Sequence, residues 1–344
     1  MSTAEENLLA TADRRLRETF QSYTVAKKEF KDAIRSKGLW LLGLIFTVAF
    51  IAPVALALYF DFGQQAQVIQ ERGMQFLLSS VYLNMVTFLL PIVAIFVGFA
   101  AISKERTSGS LKLLLSLPHS RRDVIVGKVL GRCAVLGVPL AAGLALTAIF
   151  LTASSLTFKP ELFGLFSLFT IVFALVFVAI TVSISGAFSK SLWSAAANFI
   201  VYFYFTFLWN AGANGVGQVL SNELGLTGAI RWHAVLLLKL VNPNQAYKTL
   251  VNSMLNTGDY PQQAARLGMF GRGADTQTIC ADVLNGVWGT RTVEVFGQSQ
   301  EIQACVESNG IPFFYSDPAV VVFMLAWIAV AAAVSYYTFS LADL

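Results

Sequence analysis

Charge is scarce in this sequence. Asp, Glu, Lys and Arg make up only 13% of its 344 residues, against about 25% in an ordinary soluble domain. Apolar residues reach 56%, so the chain reads as an integral membrane protein. Histidine is scarcer still. His119 and His233 are the only two, they belong to different sides of the membrane, and no His-x-x-x-His or Cys-x-x-Cys spacing exists. A built-in zinc or copper centre therefore has no ligand set. Serines abound, but none has a histidine at its own depth, which leaves nucleophilic catalysis and a membrane-embedded enzyme without support. A phosphate-binding loop is missing as well. Its nearest imitation, Gly127-Lys128, has Arg122 where the leading glycine belongs and Val129 where Ser or Thr must follow. No basic patch interleaved with aromatics suggests nucleic acid.

Six long apolar runs fill most of what remains. They span about Leu39–Phe60, Val81–Ile102, Val124–Thr152, Leu162–Phe188, Leu192–Trp209 and Pro318–Phe339. Each approaches the 20 residues that a bilayer core requires, and only helices satisfy their own backbone at that depth. The predicted fold is thus an all-α, six-span membrane protein. The runs hold essentially no acid or base, which argues against a proton- or sodium-driven carrier. Asn84, Thr87, Ser194 and Asn198 are the polar candidates for a pathway, with Ser183 and Ser185 beside them. Helix-to-helix hydrogen bonding is the competing reading for all six. No cleavable leader is visible ahead of the first run, and no repeat of fixed period is present.

The distribution of bases predicts orientation. Residues 1–38 carry eight bases and six acids. Ser103–Arg132 carries seven bases (Lys104, Arg106, Lys112, Arg121, Arg122, Lys128 and Arg132) against Glu105 and Asp123, for a net +5. A short, strongly positive connection marks the cytoplasmic side, so both termini are expected there, in the cell membrane. Within that connection Leu111, Leu114 and Leu115 repeat at helical spacing, Pro118 ends the turn, and Arg121-Arg122-Asp123 opens the next helix.

The pattern Glu105-Arg106, Gly109-Ser110-Leu111, Leu114-Leu115, Pro118, Arg121 and Gly127-Lys128 resembles the first cytoplasmic loop of ABC-2-type transporter permeases. Lys112 stands where many members carry an acid. The resemblance covers roughly residues 20–209 and 318–344. It implies a coupling helix within 103–123 that docks on a separate ATP-binding subunit, which alone binds ATP and magnesium, so that this chain needs no cofactor. It implies Glu105, Arg106, Gly109, Leu111, Leu115, Pro118, Arg121 and Arg122 at that docking surface. It also implies a second permease copy or paralogue as partner, and export as the direction.

Ahead of the first span, Phe20, Tyr23, Ala26, Phe30, Ala33 and Ile34 share a helical face, with Lys27, Lys28, Lys31 and Arg35 around it. This is an interfacial amphipathic helix that meets membrane lipid, similar to the family's elbow helix; a plain basic flank is the alternative. The domain layout expected is 1–38 cytoplasmic, 39–209 carrying spans 1–5, 210–317 as a large extracytoplasmic insertion, and 318–344 carrying span 6. The insertion has six bases and eight acids, opposite in sign to the cytoplasmic loops. Its segment Asn242-Pro243-Asn244 suits a re-entrant turn. Cys280 and Cys305 are candidates for a disulfide if the region lies outside the cell, and otherwise are two separate thiols. The rival to transport is a membrane scaffold or sensor that uses the insertion as its recognition element.

Overall fold

The computed structural model describes residues 19–59, 73–108, 120–255, 260–270, 274–295 and 298–340, together with Thr11, Asp13, Arg14, Arg15 and Arg17. In chain order the elements are α1 (Gln21–Ile34), α2 (Lys37–Tyr59), α3 (Gly73–Ser108), α4 (Arg121–Thr152), α5 (Pro160–Ala187) and α6 (Ser191–Asn222). The hairpin helices α7 (Ala229–Val241) and α8 (Pro243–Leu255) come next, then α9 (Pro261–Leu267), β1 (Gly286–Val295), β2 (Gln298–Ser308) and α10 (Asp317–Ser340). Among the described residues six helices, α2 to α6 and α10, are long and apolar enough to cross a membrane. The shortest apolar stretch, 22 residues in α10, covers about 33 Å at 1.5 Å per residue, enough for a core of about 30 Å.

The bundle is built around α5. Some 61% of its apolar window is buried, against 17% for α2 and 22% for α6. Phe166, Phe173 and Phe177 lie along its buried side, and Phe173 stacks on Tyr247 of α8 with ring centroids 4.7 Å apart. Tyr247 is fully buried, and its hydroxyl shares a 2.8 Å hydrogen bond with Thr170. The α7–α8 hairpin is therefore part of the core, docked against the bundle's far end.

Two spans are longer than their apolar runs suggest. The second starts at Gly73 rather than Val81, because Met74, Leu77 and Leu78 are buried, and a π-helical turn (Leu77–Tyr82) directs the Tyr82 hydroxyl to the Phe50 carbonyl. The fifth does not end at Trp209. It passes through a π turn at Tyr204–Leu208 and continues to Asn222. The glycines there read as a loop in sequence, but Gly217 is a contact residue: a Cβ on it would lie 2.5 Å from Val235 of α7. A π turn frees carbonyls from the helical ladder, and the Asn-Pro-Asn turn brings side-chain donors to this one. Asn242 Nδ2 donates to the Phe205 carbonyl (2.8 Å), and Asn244 Nδ2 to the Thr206 hydroxyl (3.0 Å).

The remainder of the far end contains the fold's one described pair of strands. β1 and β2 are antiparallel, with Trp288 opposite Cys305 and an irregularity between Val287 and Trp288. Cys305 is bonded to Cys280, whose helical turn (Ile279–Val283) is buried at Ile279, Cys280 and Val283. The bond thus anchors the hairpin to the α-helical body. A second anchor is Arg266, with no exposed surface. Its Nε donates to the Tyr315 carbonyl (2.8 Å) and its Nη2 meets Asp317 (2.7 Å), which also accepts from Ser253 (2.8 Å). This network fixes the start of α10.

Candidate coupling site at the basic end

At the opposite end of the bundle the sequence places small residues where α4 begins. Ser120 and Asp123 form a reciprocal cap: the Ser120 hydroxyl accepts from the Asp123 N–H (3.1 Å), and the Asp123 carboxylate accepts from the Ser120 N–H (3.2 Å). One and two turns further on come Gly127 and Gly131. A Cβ on Gly127 would sit 2.6 Å from the Ser22 carbonyl and from Val25 Cβ, and one on Gly131 would sit 2.6 Å from Glu29 Cβ. The two glycines, four residues apart, therefore admit α1 at close range. The α1 residues against these glycines are Ser22, Val25, Ala26 and Glu29, shifted from the face read in sequence.

That close approach brings four charges together. Lys128 Nζ lies 2.9 Å from Glu29 Oε1 and 2.7 Å from Glu105 Oε1, and Arg132 Nη2 lies 2.7 Å from Glu29 Oε2. The Lys128 side chain is 1% exposed. Two bases and two acids cancel, so burial leaves no uncompensated charge. Burial pushes the Glu29 carboxyl upward, but Lys128 and Arg132 outweigh it and hold the group below the usual glutamate range. The cluster joins α1, the end of α3 and the start of α4, which are the elements on both sides of residues 109–119.

The end of α3 is held on its other side by α5 and α6. Its helix loosens into a turn after Gly98, and the backbone N–H groups of Ile102 and Ser103 donate to the Ser185 hydroxyl (3.1 and 3.2 Å). Ser194 donates to the Phe99 carbonyl (2.6 Å). Arg106 Nη1 reaches the Gly186 carbonyl (3.0 Å), and the Thr107 hydroxyl the Ser189 carbonyl (2.7 Å). Arg122 stacks on Tyr336 of α10, 4.9 Å from the ring centroid, so the last turns of α10 lie on the same side of the bundle as α1.

Of the residues expected at the docking surface, Glu105 and Arg106 thus face inward and Arg122 is exposed on α10. Gly109, Leu111, Leu115 and Pro118 lie outside the described residues, as does the side chain of Arg121. Of the elbow set, Lys28, Lys31, Ile34 and Arg35 are exposed and Phe30 is half-buried. Lys27 turns back to bond Asp13, and together with Tyr23 it holds that carboxyl at about 2. Among the polar residues of the spans, Thr87 bonds the Leu83 carbonyl (2.8 Å) and Asn198 the Ser194 carbonyl (2.9 Å). Asn84 bonds the Ser80 carbonyl (2.7 Å) on an exposed face. Sequence reasoning missed Glu29, Lys128 and Arg132. A lysine seven residues into α4 was the available signal, because such a group demands a partner.

The family model for ABC-2 family transporter proteins matches residues 23–344. The chain belongs to the ABC-2 transporter family. It is similar to the probable ABC transporter permease protein NosY of Stutzerimonas stutzeri, with 24% identity over 263 residues, covering 74% of this chain and 88% of that protein. It is also similar to the protein of the same description in Pseudomonas aeruginosa, with 26% identity over 238 residues, covering 66% and 80% respectively. The ABC-2 assignment makes this chain a multi-pass transmembrane subunit of an ABC transporter, a class that works with an ATP-binding partner. It gives the ion cluster a setting, beside the connection on which the family resemblance rests.

Proposed function

We propose that this chain is the permease of an ABC-2 exporter in the cell membrane, with both termini cytoplasmic, driven by a separate ATP-binding subunit that docks on residues 103–123. Two permeases, either two copies or this chain and a paralogue, enclose the route. Closure of the ATP-binding subunits pushes the loop between α3 and α4, and the push tilts α2, α3 and α6. The cluster of Lys128 with Glu29, Glu105 and Arg132 carries this reading. A displacement of the loop cannot move the end of α3 without moving α1 and the start of α4, because one buried ammonium is bonded to both acids. Arg106 and Ser185 extend the linkage to α5, the most buried span.

The test is reconstitution with the ATP-binding subunit. Reversing Arg121 and Arg122 to Glu is expected to leave membrane insertion intact and to separate ATP hydrolysis from transport. Full activity of the purified permease with no companion, or coupling unchanged in the double variant, would overturn the proposal.

A further inference from the structure

Between α1, α2, α3 and α4 lies a cleft of about 860 Å³, the size of a small-molecule site. Its floor is apolar: Leu42 and Ile45 from α2, and Leu89, Ile92, Val93 and Phe96 from α3. Its mouth is charged. Lys28, Asp32, Lys104 and Arg132 line it beside Glu29 and Glu105. The two glutamates already contact Lys128, and Glu29 contacts Arg132 as well. Lys28, Lys104 and Asp32 are exposed, so the remaining side chains at the mouth leave an excess of one positive charge. Arg132 adds a donor. Its Nη2 is taken by Glu29, while its Nε is buried with no hydrogen-bond partner. An apolar trough inside the span region with basic donors at its end matches one ligand chemistry, an acyl chain attached to a phosphate.

We infer that this cleft binds one phospholipid from the leaflet at the basic end. Its phosphate meets Lys28, Lys104 and the exposed part of the Arg132 guanidinium, and one acyl chain runs along Ile45, Ile92 and Phe96. The inference rests on membrane insertion and not on the direction or coupling of transport. Lipid there would touch Arg132 and Glu105 directly, so the site adjoins the ion cluster.

Native mass spectrometry of the full-length permease, released from detergent and titrated with phosphatidylglycerol, provides the test. The wild type is expected to keep one lipid per chain at activation energies that strip the others. Ile92→Trp, which fills the floor, should abolish that adduct. Lys28→Glu with Lys104→Glu should weaken it about tenfold or more, given the contribution of each lysine near an anionic headgroup. Val48→Trp, on the exposed side of α2, should leave it unchanged, and free glycerol phosphate should not compete. Equal retention by the wild type and by both cleft variants would overturn the inference. So would a wild type that holds no lipid, or a cleft covered by a second copy of the chain in cross-linking.

Discussion

Replacing Lys128 with Met is the sharpest perturbation available. Methionine matches the length and apolar stem of lysine, so the packing of α4 on α1 is retained and only the ammonium is removed. The loss is the 2.7 Å contact to Glu105 and the 2.9 Å contact to Glu29. Breaking a buried pair by removing one partner costs about 3–5 kcal/mol, because the other charge stays buried. Here Glu29 keeps Arg132 at 2.7 Å, and Glu105 is 24% exposed, so the lower end, about 3 kcal/mol, applies. Neutralising Glu105 as well, in Lys128→Met with Glu105→Gln, should restore part of that loss, since Glu29 still holds Arg132. A coupling of about 0.5–3 kcal/mol is the ordinary size for groups in one network. Thermal unfolding of the purified protein reads the stability, and transport-linked ATPase of the reconstituted complex reads the mechanical role.

The same cluster has a pH signature. The folded Glu29 carboxyl sits below its unfolded value, which is about 4.3. Its stabilisation is therefore complete above that value and is lost as pH falls through the lower folded one. Wild type should lose stability in that acid window, and Glu29→Gln should lose the component due to this group. A Lys128→Met protein within about 0.5 kcal/mol of wild type, as for an ordinary surface change, and with unchanged coupling, would refute the strut argument.

Three further outcomes are expected. Gly131→Leu forces a side chain into the space of Glu29, 2.6 Å from a new Cβ; it should cost about 1–3 kcal/mol and expose α1 to protease. Gly137→Ala, with nothing within 4 Å, should be neutral or stabilising. At the far end, Arg266→Met removes the guanidinium from Asp317 and from the Tyr315 carbonyl. With Asp317 partly exposed and still bonded to Ser253, about 3 kcal/mol should be lost, read as a lower unfolding temperature.

Much of this architecture was legible because hydrocarbon imposes a simple rule. A run such as Leu162–Phe188 carries no charged residue, so its length and composition suffice to mark it as a span. The basic loop was legible for a similar reason, since charge next to a span reports its side. Legibility failed where a residue's role depends on what faces it. The stretch from Asn210 to Gly217 carries the composition of a loop, and only the approach of Val235 explains Gly217. Arg266 looked like one base among six in a polar insertion, yet it is fully buried. The Cys280–Cys305 pair was one of two readings, and spatial proximity decides it. Glu29 was assigned to no face, because the amphipathic pattern of α1 was read for lipid while its tight face belongs to Gly127 and Gly131.

The polar residues within the spans make one physical point together. Ser185 and Ser194 satisfy the turn at the end of α3, and Asn242 satisfies the π turn of α6. Each lies where a helix departs from its regular ladder and frees a backbone group that lipid cannot hydrate. Such departures are also where a helix bends at least cost. The end of α3 is one of them, and it is gripped by Ser185 and Ser194 on one side and by Lys128 on the other. Under the proposed coupling, a push on the adjoining loop would tilt α3 rather than unwind it locally, because unwinding would cost the Phe99 carbonyl and the Glu105 carboxylate the donors that now hold them.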